Sequence, residues 1–381
     1  MKLRHWTWSF CFCAFLGHAA AAEWDLRRCE GREYVTLENI AAFYGFPEPA
    51  PLSAPTPATI SAIIAGAASA SEFGITAAAT LAAVSRTIVL DSGAMHLEVT
   101  PGLSEVNING VKQWLAFPVR VEDGRALVSR LDLSKIIEPR LRPELIAGLQ
   151  PVTTVVLDPG HGGHDRGAIS RFGFEKDFAL DVALRARPLL EKAGYKVVMT
   201  RATDIFIPLE ERPAIANRIP NSIFVSIHFN SSSSNADARG FEIFSVAPRG
   251  MPATNDSTPS ERDLRAEPGN AVELPSGALA GSVFHALLGQ VPMVDRGLKH
   301  ARFAVLRLCE RPAVLVECGF VSNPAESSLI SSGAWRARIA DAVADGVENY
   351  RALAESGHRP KTIADYRRAS SRLQLRDSAT P

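Results

Sequence analysis

The sequence predicts an α/β fold, a mixed and mostly parallel sheet with helices on both faces, preceded by a small α+β domain. Three observations predict it. From Thr153 onward, short strand-like runs alternate with helical segments, the pattern of strands joined by covering helices. TTVVLD, at the head of that series, reads as a strand of the kind buried on both faces. Residues 86–131 read differently. RTIVLD, HLEVT and VNING are separated by Gly, Asn, Asp or Pro, and VEDGRALVSR carries an Asp-Gly hairpin turn.

The N-terminus has a basic head (Lys2, Arg4), a short apolar stretch from Trp6 to Leu16 and small residues from Ala19 to Ala22. The apolar stretch is too short to span a bilayer, so residues 1–22 read as a cleaved export signal. Export to the periplasm or cell-wall space follows, with no transmembrane anchor expected in the mature chain. Cys29, Cys309 and Cys318 would remain. Three cysteines without a CxxC pair read as buried free thiols rather than as a disulfide framework or a cysteine zinc site.

Residues 27–140 read as the accessory α+β domain. RRCEGREYVTLENIAAFYGF gives a strand and a short helix, an Ala/Pro-rich segment fills 47–84, and LDLSKIIEP is a small helix stopped by Pro139. Residues 141–151 are the linker, and 152–354 form the second domain. There GFEKDFALDVALRARPLLEKAG is an amphipathic helix ending at Gly194, with Pro188 inside it. LEERPAIANRI and SGALAGSVFHALLGQV are further helices, YKVVMT, SIFVSIH, GFEIFSV, FAVLRL and AVLVECGF are strands, and GAWRARIADAVADGVENYRALAE closes the domain as a helix. Residues 249–275, polar and Pro-rich, read as a long exposed loop insertion, and 355–381 as a disordered basic tail.

With 41 basic and 41 acidic residues the net charge is zero. Nucleic-acid binders carry a basic excess, so that class is not expected. GHGGHDRG is Gly-rich but lacks the Lys-Ser/Thr of a P-loop and the GxGxxG order, which argues against nucleotide binding.

Three polar residues sit at the ends of apolar strands: His161 after TTVVLD-Pro-Gly, His228 after SIFVSI, and Glu317 after AVLV. In open α/β sheets ligands bind outside the carboxyl ends of the strands, so these side chains would share one crevice if the strands are parallel neighbours. Glu175, near the start of the long helix, follows a Gly-rich loop that can fold it back over the strand ends. Two His and one carboxylate form a ligand set for catalytic zinc. The gaps of 14, 53 and 89 residues between 161, 175, 228 and 317 are unlike HExxH, so the strand-end placement carries the argument. Glu317 reads as the acid/base group, because a strand-terminal Glu after four apolar residues is costly to bury without purpose. A lone His at a strand end is usually hydrogen-bonded scaffold. His164 and Asp165 compete with His161 as ligands, Asn230 is a candidate for orienting substrate, and His300 reads as a loop residue outside the site.

The blocks VVLDPGHGGHDRGA, EKDFALDVA, TRATDIFIPLEERPAIAN, SIHFN, GFEIF, DRGLKHARFAVLR and PAVLVECGFVSNPAE run in order from about Val152 to Tyr350. They resemble the zinc-dependent N-acetylmuramoyl-L-alanine amidases of the amidase 3 type. The resemblance implies a phosphorylase/hydrolase-like sheet, one Zn2+ held by His161, Glu175 and His228, and Glu317 as the catalytic residue. It selects His161 over His164. It also implies peptidoglycan as substrate, cut between N-acetylmuramic acid and L-alanine, and leaves any activator protein unidentified. The pattern YVTLENIAAFYGF…NING…DGRALVSRLDL resembles the copper amine oxidase N-terminal-like domain, which brings no metal ligands and suggests spacing or wall contact. A non-catalytic wall-binding protein and a zinc peptidase acting on stem peptides are the alternatives. The four site residues argue against the first, and the cleavage product discriminates the second.

Overall fold

A computed structural model describes residues 24–50, 52, 86–256 and 258–369. Residues 1–22, expected to be an export signal, most of the Ala/Pro-rich segment and residues 370–381 lie outside the described residues.

Sixteen strands and six principal helices organise the described chain. The strands are β1 (Leu26–Cys29), β2 (Arg32–Thr36), β3 (Ile88–Asp91), β4 (His96–Val99), β5 (Glu105–Ile108), β6 (Val111–Trp114), β7 (Arg120–Glu122), β8 (Arg125–Ser129), β9 (Thr154–Pro159), β10 (Ile169–Ser170), β11 (Gly173–Phe174), β12 (Lys196–Met199), β13 (Ser222–Asn230), β14 (Phe241–Val246), β15 (Asp295–Ala301) and β16 (Ala313–Phe320). The helices are α1 (Leu37–Tyr44), α2 (Glu175–Lys192), α3 (Glu211–Asn217), α4 (Glu273–Gln290), α5 (Pro324–Ser331) and α6 (Gly333–Ser356).

The main sheet has ten strands in the order β12-β9-β13-β16-β14-β15-β6-β5-β4-β3. Strands β12, β9, β13 and β16 are mutually parallel, and β14 is antiparallel to β16. The expected mixed, mostly parallel sheet is therefore present. Alternate residues of each strand serve two cores, as the two-residue period requires. Val155, Leu157, Val225, Ile227 and Val316 pack under α2, α4 and α6, whereas Val156, Phe224, Phe244 and Leu315 pack on the other face with Ala216 of α3, Val305 and Leu306. Pro188 lies inside α2, which runs unbroken to Lys192, and Pro213 falls in the first turn of α3, where it is tolerated.

The N-terminal region is β-rich, and its strands divide between two sheets. Strands β1, β2, β8 and β7 form a separate antiparallel sheet, while the β3–β6 meander extends the main sheet through the pair Leu298↔Gln113. Both pack on α1 and the helical stretch 130–141 around Ile40, Leu97, Val128 and Ile137.

Four expectations need correction. FAVLRL is not a strand: β15 comprises DRGLKHA, and Ala304–Arg307 is a helical turn. A short buried apolar run does not distinguish the two by periodicity. Consequently His300 lies on β15 and is buried, not in a loop. The 249–275 segment is built rather than merely exposed. Met251 joins the accessory core, short 3-10 turns form at Glu261–Leu264 and Pro268–Val272, and buried Asp263 pairs with Arg302 at 3.0 Å. Of the expected tail, residues 357–369 are docked. Ile363 and Tyr366 are buried, and Arg359 donates to the Leu141 carbonyl at 3.0 Å and to Glu144. Two apolar residues three apart sufficed to anchor a segment whose composition reads as solvated. Finally, one later stretch, Pro268–Gln290, has the length and apolarity of a membrane span, but most of it is buried in the core under the sheet.

Candidate metal centre

The crevice opens at the carboxyl ends of β9, β13 and β16. His228 and Glu317 are register partners on the parallel strands β13 and β16. Strand parity puts both on the face that carries Phe224 and Leu315. His161 follows β9 by two residues and takes a left-handed φ of 60°, held by the antiparallel bridge between Gly162 and Asp165. That turn brings His161 back over the strand end. The hairpin β10–β11 then delivers Glu175, the first residue of α2, into the same space.

The polar atoms converge. Glu175 Oε1 lies 3.0 Å from His161 Nε2 and 3.0 Å from His228 Nδ1, and one ligand atom from each of the three residues fits within a 4.8 Å group. Glu175 is buried and also accepts from the Phe229 N–H (3.0 Å) and the Ala168 N–H (2.8 Å). Burial alone would raise its carboxyl, but the hydrogen bonds and charges of His161 and His228 outweigh burial and hold it well below the usual carboxylate range. Burial lowers the His161 imidazole, yet Glu175 and Asp165 outweigh that too, and its pKa is raised. Asp165 Oδ2 sits 2.8 Å from His161 Nδ1, on the ring edge away from Glu175. It is thus the orienting partner of His161 rather than a member of the cluster, and a carboxylate in that position fixes the imidazole that ligates a metal.

Glu317 stands apart from these contacts. Its Oε2 is buried without a hydrogen-bond partner. Burial, with the charges of Glu175 and Glu242, raises its pKa well above the ordinary value against the opposing charge of Lys299. Beside it Glu242 is a hub: it accepts from Lys299 (2.5 Å), Arg296 (2.9 Å) and the Asn230 amide (2.8 Å). Asn230 is therefore at the crevice, with its side-chain amide tied to Glu242. His164 stacks on Phe206 at 4.3 Å between centroids and lies outside the cluster, and His300 is buried against Ser245.

Sequence reasoning missed what lies under the cluster. Arg212 donates to Asp158 (3.0 Å), to the carbonyls of Pro159 (2.9 Å) and Ile207 (2.9 Å), and to the His161 carbonyl (2.7 Å). Asp158, fully buried, also accepts from Thr200 and Ser226. Arg201 donates to the carbonyls of Pro159, Gly160 and Lys176. These two buried guanidiniums hold the His161 loop from behind. Both lie in TRATDIFIPLEERPAIAN, so the only signal was their place in a block that resembles the family. Two glycines are equally specific. A Cβ at Gly160 would lie 2.3 Å from the His228 ring, and one at Gly167 would lie 2.6 Å from both Glu175 Oε2 and His161.

Comparison with known proteins identifies the family. N-acetylmuramoyl-L-alanine amidase AmiC of Neisseria meningitidis is 34% identical over 224 residues, 53% of this chain and 53% of that protein. AmiA of Escherichia coli K12 is 35% identical over 218 residues, 51% of this chain and 75% of the relative. The chain thus spans about half the length of the first relative and three quarters of the second. The crystal structure of an N-acetylmuramoyl-L-alanine amidase from Clostridium difficile 630 aligns at 31% identity and a TM-score of 0.44, covering 53% of this chain and 97% of that one. Residues 155–349, just over half of the chain and the whole of the crevice, match the family Amidase_3, N-acetylmuramoyl-L-alanine amidase, and this chain belongs to that family.

Proposed function

We propose that this chain is a zinc-dependent amidase that hydrolyses the bond between N-acetylmuramic acid and L-alanine in peptidoglycan, with His161, Glu175 and His228 as ligands and Glu317 as general base and then general acid. The observation that carries the reading is the convergence of Glu175 Oε1 on both histidines at 3.0 Å, beside a buried Glu317 oxygen that no described residue satisfies. Tetrahedral zinc with bonds of roughly 2.0–2.2 Å separates its donor atoms by about 3.4 Å, close to the 3.0 Å from Glu175 Oε1 to each histidine and within the 4.8 Å span of the group. Two neutral imidazoles and one carboxylate leave an open position, as catalytic zinc sites do.

Bound there, zinc supplies a Lewis acid that polarises the amide carbonyl and makes water acidic near neutral pH. The protein supplies the rest. Asp165 fixes the His161 ring, and the Arg212 and Arg201 hydrogen bonds to carbonyls fix its backbone. Glu317 takes the proton of the attacking water and returns it to the leaving L-alanine amine as the C–N bond breaks. A carboxyl with raised proton affinity suits both halves of that transfer. In this reading residues 1–22 direct export to the periplasm or wall space, Asn230 orients substrate near Glu317, and the accessory region acts as a spacer or wall contact.

Glu317→Gln tests the assignment. The variant is expected to retain stoichiometric zinc and lose about 10²–10⁴-fold in release of intact stem peptides, followed by mass spectrometry of digested peptidoglycan. Undiminished release would remove Glu317 from the role. Trimmed peptides in place of intact ones from the wild-type enzyme would favour a peptidase.

A further inference from the structure

We propose that the cavity between the accessory region and the main domain is a binding site for an anionic ligand, one that sets a carboxylate or phosphate against Arg140 and an apolar body against the walls. This cavity is distinct from the crevice of His161, Glu175 and His228, and the proposal does not depend on the reaction carried out there. Its volume is about 680 Å³, within the range of small-molecule sites. Its walls come from the β5–β6 hairpin (Ile108, Val111), from α4 (Leu288) and from the docked C-terminal segment (Ile363).

Arg140 is the reason to expect an anion. Protein surrounds it closely enough to bring its guanidinium down to about 10, and no charged partner opposes that effect. Its Nε donates to the neutral Gln113 Oε1 at 3.0 Å. Asp91, the acidic residue of the lining, is engaged by His96 Nδ1 at 2.8 Å and the Gly93 N–H at 2.6 Å. A half-buried guanidinium with no carboxylate paired to it among the described residues is costly unless a charge from elsewhere meets it.

The helix beneath has been shaped to admit it. A Cβ at Gly281 would lie 2.4 Å from Arg140 Nη1, so α4 keeps a glycine in its interior, where glycine is unfavourable, at the point where the guanidinium lies. The next residue, Ser282, also lines the cavity, and its Oγ is buried with no hydrogen-bond partner. A cation with no counter-ion among the described residues and an unpartnered hydroxyl on the same lining are the two kinds of group that an oxyanion accepts from. Because the lining comes from the accessory hairpins as well as from α4 and the C-terminal segment, an occupant would bridge the accessory region and the main domain.

The test is calorimetric titration of the full-length, zinc-loaded protein with two probes, inorganic phosphate and the dipeptide L-alanyl-γ-D-glutamate. They separate a phosphate source from a wall-peptide carboxylate. At least one probe is expected to bind at about millimolar affinity or tighter. Both Arg140→Met and Leu288→Trp, which fills the cavity, are expected to weaken that binding about tenfold or more. Each variant should keep the wild-type rate of peptidoglycan hydrolysis measured without probe, and Arg140→Met should keep the wild-type melting temperature. Failure of both probes to bind would overturn the proposal, as would binding that survives both substitutions. A lowered melting temperature in Arg140→Met with unchanged probe binding in Leu288→Trp would show a structural arginine instead.

Discussion

Arg212→Met is the sharpest test of how the crevice is held. The substitution keeps the length and apolar stem of a side chain that is 2% exposed, and removes only its charge and donors. Four hydrogen bonds disappear: to Asp158 and to the carbonyls of Pro159, His161 and Ile207. Asp158 keeps Thr200 and Ser226 but loses its cation while remaining fully buried. Removing one partner of a buried ion pair costs about 3–5 kcal/mol, and the net worth of the lost bonds to carbonyls lies inside that range because the loop can relax. At about 2–4 °C per kcal/mol for a domain of this size, the melting temperature should fall on the order of 10 °C. Thermal unfolding by circular dichroism reads this directly, and metal analysis of the same samples should show reduced zinc, since the His161 carbonyl has lost its anchor. Arg212→Lys should recover part of the stability and less of the zinc, because one ammonium cannot reproduce the guanidinium fork. A melting temperature within about 2 °C of wild type, less than 1 kcal/mol, would refute the view that this network supports the site.

Further outcomes follow from the same geometry. Asp165→Ala removes the acceptor on His161 Nδ1 and should weaken zinc binding about 10–100-fold, measured by competition with a chelator, with little change in melting temperature. Gly167→Ala forces a Cβ toward Glu175 and His161 at a φ of 63°, so it should lose zinc and about 1–2 kcal/mol of stability; full zinc occupancy would contradict the clash. His300 is held neutral, its pKa pushed down by burial and by Arg140 and Arg302 to about 3, so only the unfolded chain takes up its proton below about 6.5. That contribution is complete above pH 6.5 and is lost as the pH falls toward 3. His300→Gln should therefore gain on wild type by about 1.4 kcal/mol for each pH unit below 6.5, read from urea unfolding. A difference that stays constant between pH 6.5 and 4.5 would contradict a neutral buried imidazole.

The strand ends were legible because burial constrains them. A histidine or glutamate at the close of an apolar run must face either a core or a crevice, and His228 and Glu317 prove to be register partners in that crevice. Glu175 was less legible. A turn at Gly167 and the β10–β11 hairpin bring it back, which the Gly-rich loop only allowed for and the resemblance then supported. Arg201 and Arg212 were not legible as support, because an arginine in a polar segment reads as a solvated charge until the carbonyls it meets are known. The docked residues Ile363 and Tyr366 failed for the converse reason. Two apolar side chains in a basic stretch do not reveal the groove they enter. The 249–275 segment was misread likewise, since its anchor is the buried pair of Asp263 with Arg302, 39 residues apart in a sequence that shows only their charges.

The pairing of His228 with Glu317 across β13 and β16 acts as a ruler with coarse graduations. Adjacent strands stand about 4.8 Å apart, and a slip of one residue turns a side chain to the opposite face, so no intermediate setting exists. Loss or gain of a single codon between Phe224 and His228, or between Ala313 and Glu317, where the register is unbroken, would therefore turn one partner away from the other, whereas the register shift that follows His228 lies past the ruler. Tolerance to insertion is thus set here by strand pairing and is least at two short runs, Phe224–His228 and Ala313–Glu317.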